Sequence, residues 1–248
     1  PVQLLRSWQD LLAEGVRPHQ VLVLGFGGGP LSGAEYHLGL ALGASVAIAA
    51  GSGGAADALI EDPIWTGTPN LYPMPADPAT LRALFVPPRR KYEEDVLEDM
   101  ARNFHAQYLA ESSGRLPPNL RPWEKLPESF KKASREQARY AVEILEACGF
   151  EVRPAADPEH PVVFDSADFS DKEIQRMAEM EHGRWNVERL RDGWRPGKQR
   201  DDDRKIHNCL VSWSELPEDT KKYDFSSVKK FPEILARAGL EVHRRGKK

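Results

Sequence analysis

Two architectures are expected from this sequence: an α/β region at the amino-terminal end, then a mainly α-helical region with short β-strands. Three observations predict them. Residues 1–85 hold twelve of the 19 glycines, with three Arg, no Lys and seven acids (3 − 7 = −4), whereas residues 86–248 carry 31 residues of each sign. Within the first region, short apolar runs ending in glycine alternate with helical stretches. Within the second, the chain repeats itself. With 248 residues, 40% hydrophobic and 29% charged, the chain has material for two cored domains and is not of disordered composition.

The apolar run Val21-Leu22-Val23-Leu24-Gly25-Phe26 predicts a buried parallel strand, and a helix is expected over 34–43. A second strand is expected over 45–50 and a helix over 55–60, stopped by Asp62-Pro63. A third strand is expected over 70–74, with Asp77 capping a helix over 78–85. Such alternation predicts a doubly wound α/β pattern.

Two glycine-rich loops leave the first two strands and open the following helices. Backbone N–H groups of Gly27, Gly28, Gly29 and Ser32 in one loop, and of Ser52, Gly53 and Gly54 in the other, are the candidate phosphate donors. The alternative is that these glycines only turn tight corners. The dinucleotide fingerprint is not met, because Pro30 stands where its third Gly belongs, and no Gly-Lys-Ser/Thr occurs. Gly27-Gly28-Gly29, Ser32-Gly33-Ala34-Glu35 and Ser52-Gly53-Gly54-Ala55-Ala56-Asp57 together resemble the SLOG group of nucleotide-binding Rossmannoid domains. Hydrolytic relatives in that group carry a Pro-Gly-Gly-x-Gly-Thr loop followed by Glu. Here the Thr and the Glu are missing, so the resemblance implies sensing.

In the second region, residues 123–152 align with 213–242 without a gap, and twelve of the thirty positions are identical. Average composition would give about two. Upstream, the stretch Met100 to Tyr108 matches Met177 to Trp185 in pattern, so the offset grows from 77 to 90 and the second block carries 13 extra residues around 193–203. Each block is expected to run helix, loop, short strand, helix and apolar tail. Ser134 and Asp224 are expected near the starts of the second helices, and Gly149 and Gly239 at their ends. The Pro- and Asp-rich stretch 154–170 is expected to be a linker. The domain boundaries that follow are 1–88 for the α/β region and 92–248 for the duplicated one, with copies at 92–153 and 171–245.

His182-Gly183-Arg184-Trp185, Gly193-Trp194-Arg195-Pro196-Gly197, Arg200-Asp201-Asp202, His207-Asn208-Cys209-Leu210-Val211 and Leu216-Pro217-Glu218 closely resemble the ryanodine-receptor (RyR) repeat. The first block resembles a diverged copy, with Tyr108 in place of Trp. The resemblance implies a tandem pair that sandwiches an adenine-type base between its copies. It nominates Tyr108 and Trp185 as stacking walls, Ser134 and Asp224 as lining groups, and Pro118 and Asn208 in the corresponding loops. Arg189, Lys198 and Arg200 would offset phosphate charge. Asp224 departs from the Asn often found in the family, and an acid there suits a ribose hydroxyl or a base amino group better than a phosphate.

Each of these residues also has a structural reading. Trp185 at helical spacing is a core candidate, His105 and His182 are candidates for bracing their own helices, and Trp123 and Trp213 for core packing. The Asp201-Asp202-Asp203 run is set among Lys198, Arg200, Arg204 and Lys205, which favours salt bridges over a cation site, and Cys148 and Cys209 read as core thiols. No metal site, catalytic residue or cofactor is expected. A net charge of −4 disfavours bulk nucleic-acid binding, and no apolar run reaches membrane-span length. A SLOG-like unit beside tandem RyR repeats resembles bacterial assemblies associated with antiviral nucleotide signalling, and what that resemblance implies is a cytoplasmic sensor that binds an adenine-type or cyclic, ADP-ribose-derived nucleotide as its small-molecule partner. An effector domain upstream of Pro1 or a homo-oligomer would complete it. Two alternatives stand beside it: an N-glycosidic hydrolase using Glu35 and Asp57, and a protein-docking scaffold.

Overall fold

The computed structural model describes residues 2–86, 88–89, 91–111 and 121–246. A helix not anticipated above, α1 (Val2–Ala13), opens the chain and buries only Trp8. Then come β1 (Leu22–Gly25), α2 (Pro30–Leu42), β2 (Ser45–Ala49), α3 (Gly54–Glu61), β3 (Leu71–Met74) and α4 (Pro78–Phe85). Pro30 starts α2 four residues earlier than expected, since a first-turn proline has no N–H to leave unpaired. Gly43, at φ +90°, ends it. At the head of α4, Asp77 caps as expected, accepting from the Thr80 N–H and hydroxyl at 3.0 and 2.7 Å.

The three strands are parallel, in the order β1-β2-β3, with Val46 opposite both Val23 and Leu71. The expected double winding is not what they form. Strand order never reverses, so right-handed crossovers put successive helices on one face, where α2 and α3 pack together. The core here is Tyr36, Leu40, Val46, Ile48, Ala56, Leu59 and Leu71.

Next follow α5 (Glu94–Glu111), a 3₁₀ turn at Trp123–Lys125, α6 (Glu128–Ala147) and β4 (Phe150–Pro154). After them come α7 (Asp171–Arg191), β5 (Arg195–Pro196), β6 (Ile206–His207), a 3₁₀ turn at Trp213–Glu215, α8 (Glu218–Lys229), α9 (Phe231–Ala236) and β7 (Leu240–Arg244). Gly149 and Gly239 follow the helices at φ +93° and +72°, as expected of C-terminal glycines. Pro232 breaks the second block's helix into α8 and α9 where the first block has the unbroken α6.

Two expectations need correction. The helices after Leu-Pro-Glu begin at the Glu, because the prolines Pro127 and Pro217 are their N-caps, with φ fixed in the extended region. Ser134 and Asp224 therefore lie inside α6 and α8, not at their starts. The short strand expected in the second block is the pair Ile206–His207, against Arg195 and Pro196, and the chain then turns, the Cys209 N–H donating back to His207 Nδ1 at 3.1 Å. The stretch 154–170 is packed rather than a plain linker, since Phe164 and Phe169 lie 4.9 Å apart and both meet Phe150 edge-on.

The chain divides into two compact units, Pro1–Leu81 with Trp185–Leu216, and Arg82–Arg184 with Pro217–Lys248. This division crosses the boundary expected at residues 88–92: the second block's 185–216 segment groups with the first 81 residues. No helix among the described residues is long and apolar enough to cross a membrane.

Candidate functional site

In the first unit the two glycine loops close on one another. Gly27 N–H donates to Ser52 Oγ at 2.9 Å, and the Ala55 and Ala56 N–H groups donate to the Gly28 and Gly27 carbonyls. Gly54, at φ +58°, must be glycine, because a Cβ there would run into the Gly28 carbonyl. Asp57 in the first turn of α3 accepts from the Gly51 and Gly53 N–H groups at 2.9 and 2.8 Å. An internal carboxylate thus takes the donors and the helix-dipole position that a phosphate would use in the second loop. Both oxygens of Asp57 are engaged this way, while Glu35 is exposed on α2.

The same unit gathers an aromatic and cationic cluster. Trp185 and Arg189 stand one turn apart on α7, and the β5–β6 segment brings Trp194 and His207 to them. The His207 ring lies 4.9 Å from Trp185 and 5.7 Å from Trp194, edge-on to each. The Arg189 guanidinium is 5.8 Å from the Trp185 ring and that of Arg200 is 6.0 Å from Trp194. Arg189 pairs with Glu188 at 2.9 Å through one terminal nitrogen, but its buried Nε has no partner. Arg200 pairs with Asp202 at 2.6 Å. Burial first, then the charges of Arg200 and Arg189, lower the His207 pKa to about 4, so its imidazole is neutral near pH 7. Of the residues nominated above, Trp185, Arg189 and Arg200 are brought together, while Lys198, between β5 and β6, and Asn208, just after β6, are exposed. Trp194 and His207 were not nominated, although the Gly-Trp-Arg-Pro-Gly and His-Asn-Cys motifs carry them.

The cluster is tied to the α/β elements of its own unit. Asn186, fully buried, donates from Nδ2 to Thr80 Oγ1 at 3.1 Å and to the Val211 carbonyl at 3.0 Å. Arg195 lies 5.4 Å over the Tyr72 ring.

The second unit holds a buried polar group of its own. Glu181, 3% exposed, takes two bonds of 3.0 Å from Arg184 and a third from Gln137 Nε2. His182 Nδ1 lies 3.7 Å from Asp224 Oδ2. Burial, then the nearby Glu181 charge, raises the Asp224 pKa to about 8, so its carboxyl is largely protonated at neutral pH. The Tyr140 hydroxyl is buried without a hydrogen-bond partner. Ser134 bonds back to the Phe130 carbonyl at 3.2 Å within α6, Tyr108 is exposed on α5, and Pro118 lies outside the described residues. His105, beside Trp123, lies 2.7 Å from the Arg121 carbonyl, outside its own helix, and His182 faces Asp224 on α8, so neither histidine braces its own helix as expected.

Residues 168–244 match the family model of the RyR domain. This segment, from just before α7 to the end of β7, is an RyR domain, and it contains Trp185, Arg189, Arg200, Asn208 and Asp224.

Proposed function

We propose that this protein is a nucleotide-binding regulatory module that reads an adenine-type or cyclic or ADP-ribose-derived nucleotide messenger without transforming it. The observation that carries this reading is the Trp185–His207–Trp194 cluster flanked by Arg189 and Arg200. Flat aromatic faces suit a purine, the guanidinium groups suit phosphate, and the neutral His207 imidazole, whose Nδ1 accepts from the Cys209 N–H, has its Nε2–H to donate.

The finer family reading belongs to the same proposal. The first block is a diverged second RyR copy, a reading supported by the shared order of helix, 3₁₀ turn, helix and strand and by the twelve identities. Its Met100 and Ala101 are fully buried, like Met177 and Ala178 of the second block. The α/β region is a SLOG-like companion, and a bacterial antiviral signalling setting follows from that pairing of resemblances.

The test is a thermal-shift panel of ATP, ADP, AMP, ADP-ribose, cyclic ADP-ribose and cyclic di- and trinucleotides, run on the wild type and on Trp185→Ala. One-site binding at about a hundredfold over Kd adds about 2.7 kcal/mol, equivalent to several degrees. A shift confined to one messenger class and absent in Trp185→Ala is expected. No shift with any nucleotide would remove the proposal.

A further inference from the structure

Comparing the two sequence blocks position by position exposes a difference in the second unit. In the first block, Arg135 on α6 reaches Glu98 on α5 with nitrogen–oxygen distances of 2.6 and 3.3 Å. One turn along, Arg139 pairs with Glu94 at 3.5 Å. The cavity there, lined in part by Glu94, Leu97 and Arg139, measures only about 20 Å³. Under the offsets of 77 and 90, the second block replaces Arg135 by Phe225, Glu98 by Gln175 and Arg139 by Lys229. Gln175 turns along its own helix to Glu179 at 2.8 Å. The interhelical clamp is gone, and between α7 and α8 lies a groove of about 570 Å³, within the usual range for small-molecule sites.

The chemistry of its walls is specific. Ile174 from α7 and Phe225 from α8 are apolar, and Ser226 adds a hydroxyl. Lys222 and Lys229, two turns apart on α8, place two ammonium groups along one side. Lys229 forms no ion pair among the described residues. Lys222 pairs at 2.7 Å with Asp219, but both partners are largely exposed, so that pair exchanges cheaply. Asp171 at the end of the groove disfavours a second negative group. Asp224 and the buried polar group around it contribute nothing to this lining.

We propose that the α7–α8 groove is a binding site for a small amphipathic anion, with one carboxylate, sulfonate or phosphate on Lys222 and Lys229 and an apolar body between Ile174 and Phe225. This site does not depend on the nucleotide reading.

The probe is 1-anilinonaphthalene-8-sulfonate, titrated into the full chain and followed by fluorescence. Saturable one-to-one binding is expected, displaced by decanoate and not by decyltrimethylammonium. Lys222→Glu with Lys229→Glu is expected to weaken it by about tenfold or more, the loss of one charge-assisted contact being enough for that factor. Phe225→Arg with Gln175→Glu, which restores the first block's clamp, is expected to abolish it, while Trp185→Ala leaves it unchanged. Melting curves check that each variant is folded. Should the clamp variant unfold, the exposed lysine pair decides. Absence of saturable binding, binding unaltered in the lysine variant, or equal displacement by the cationic detergent overturns the site.

Discussion

Val152 on β4 lies directly opposite Val242 on β7, and the two occupy the same position in their respective sequence blocks. The flanking pairs, Phe150 with Arg244 and Pro154 with Leu240, exchange places under the offset of 90. The terminal strands of the blocks therefore pair about a local two-fold axis through the two valines. Both side chains are buried, at 1% and 4% exposure. Val152→Ala and Val242→Ala should each cost about 2 kcal/mol in denaturant unfolding. Because the two touch one neighbourhood, the double variant should cost less than the sum of the singles. Strict additivity would mean that the two strands do not depend on each other.

Asp224 makes stability fall with rising pH. Its carboxyl titrates near 3.8 ordinarily and near 8 in the fold. Between those values the folded chain holds a proton that the unfolded chain has lost. The stabilisation linked to that proton is complete below about pH 4 and is lost as pH rises to about 8, at about 1.4 kcal/mol per pH unit while the gap persists. Asp224→Asn carries no such term. Its melting temperature relative to wild type should rise steadily from pH 4 to pH 8 and then level off. A difference independent of pH would mean that Asp224 is ionised in the fold.

His207 has the opposite sign. Its pKa is lowered to about 4 by burial first, then by Arg200 and Arg189. The stability linked to its neutral form is present above about pH 6.5 and is lost as pH falls towards 4. Carbon-attached proton shifts of the imidazole, followed by NMR, should show no titration between pH 8 and 6. Trp185→Ala, which opens one face of the ring to water, should move the midpoint back towards 6.5. A wild-type midpoint near 6.5 would show the ring to be solvated and the Trp185–His207 contact open.

Local signals carried much of the architecture. Glycine and proline marked the ends of β1, α2, β2, α3, β3 and α4 closely, and Gly149 and Gly239 marked the ends of the helical blocks. The repeat itself was plain from Trp123 and Trp213 onward. Non-local packing was harder to read. Nothing within 185–216 announces that it groups with the first 81 residues, because the Asn186–Thr80 bond and the Arg195–Tyr72 contact join positions more than a hundred residues apart. Ser134 and Asp224 read as cap-type residues, yet the prolines ahead of them start both helices earlier. In the cluster around His207, Trp185 and Arg200 were legible through their motifs and Arg189 through its place one helical turn beyond Trp185. Trp194 and His207 join them only once β5 and β6 pair.

Asp57 acts as an internal anion for the second glycine loop, and this is testable by rescue. Asp57→Ala frees the Gly51 and Gly53 N–H groups at the start of α3 and removes a favourable charge from its positive end. Losing two charge-assisted hydrogen bonds at a half-buried site should cost about 2–3 kcal/mol. Chloride leaves the freed donors poorly matched, whereas sulfate or phosphate matches their geometry. The variant's melting temperature should therefore recover with added sulfate by more than the wild type gains from the same salt, since sulfate stabilises any fold somewhat. Equal gains in the two proteins would show that the loop has no anion-shaped vacancy once Asp57 is removed. A larger gain in Asp57→Ala would show that the loop's backbone donors are arranged for an anion and that the wild-type chain supplies its own.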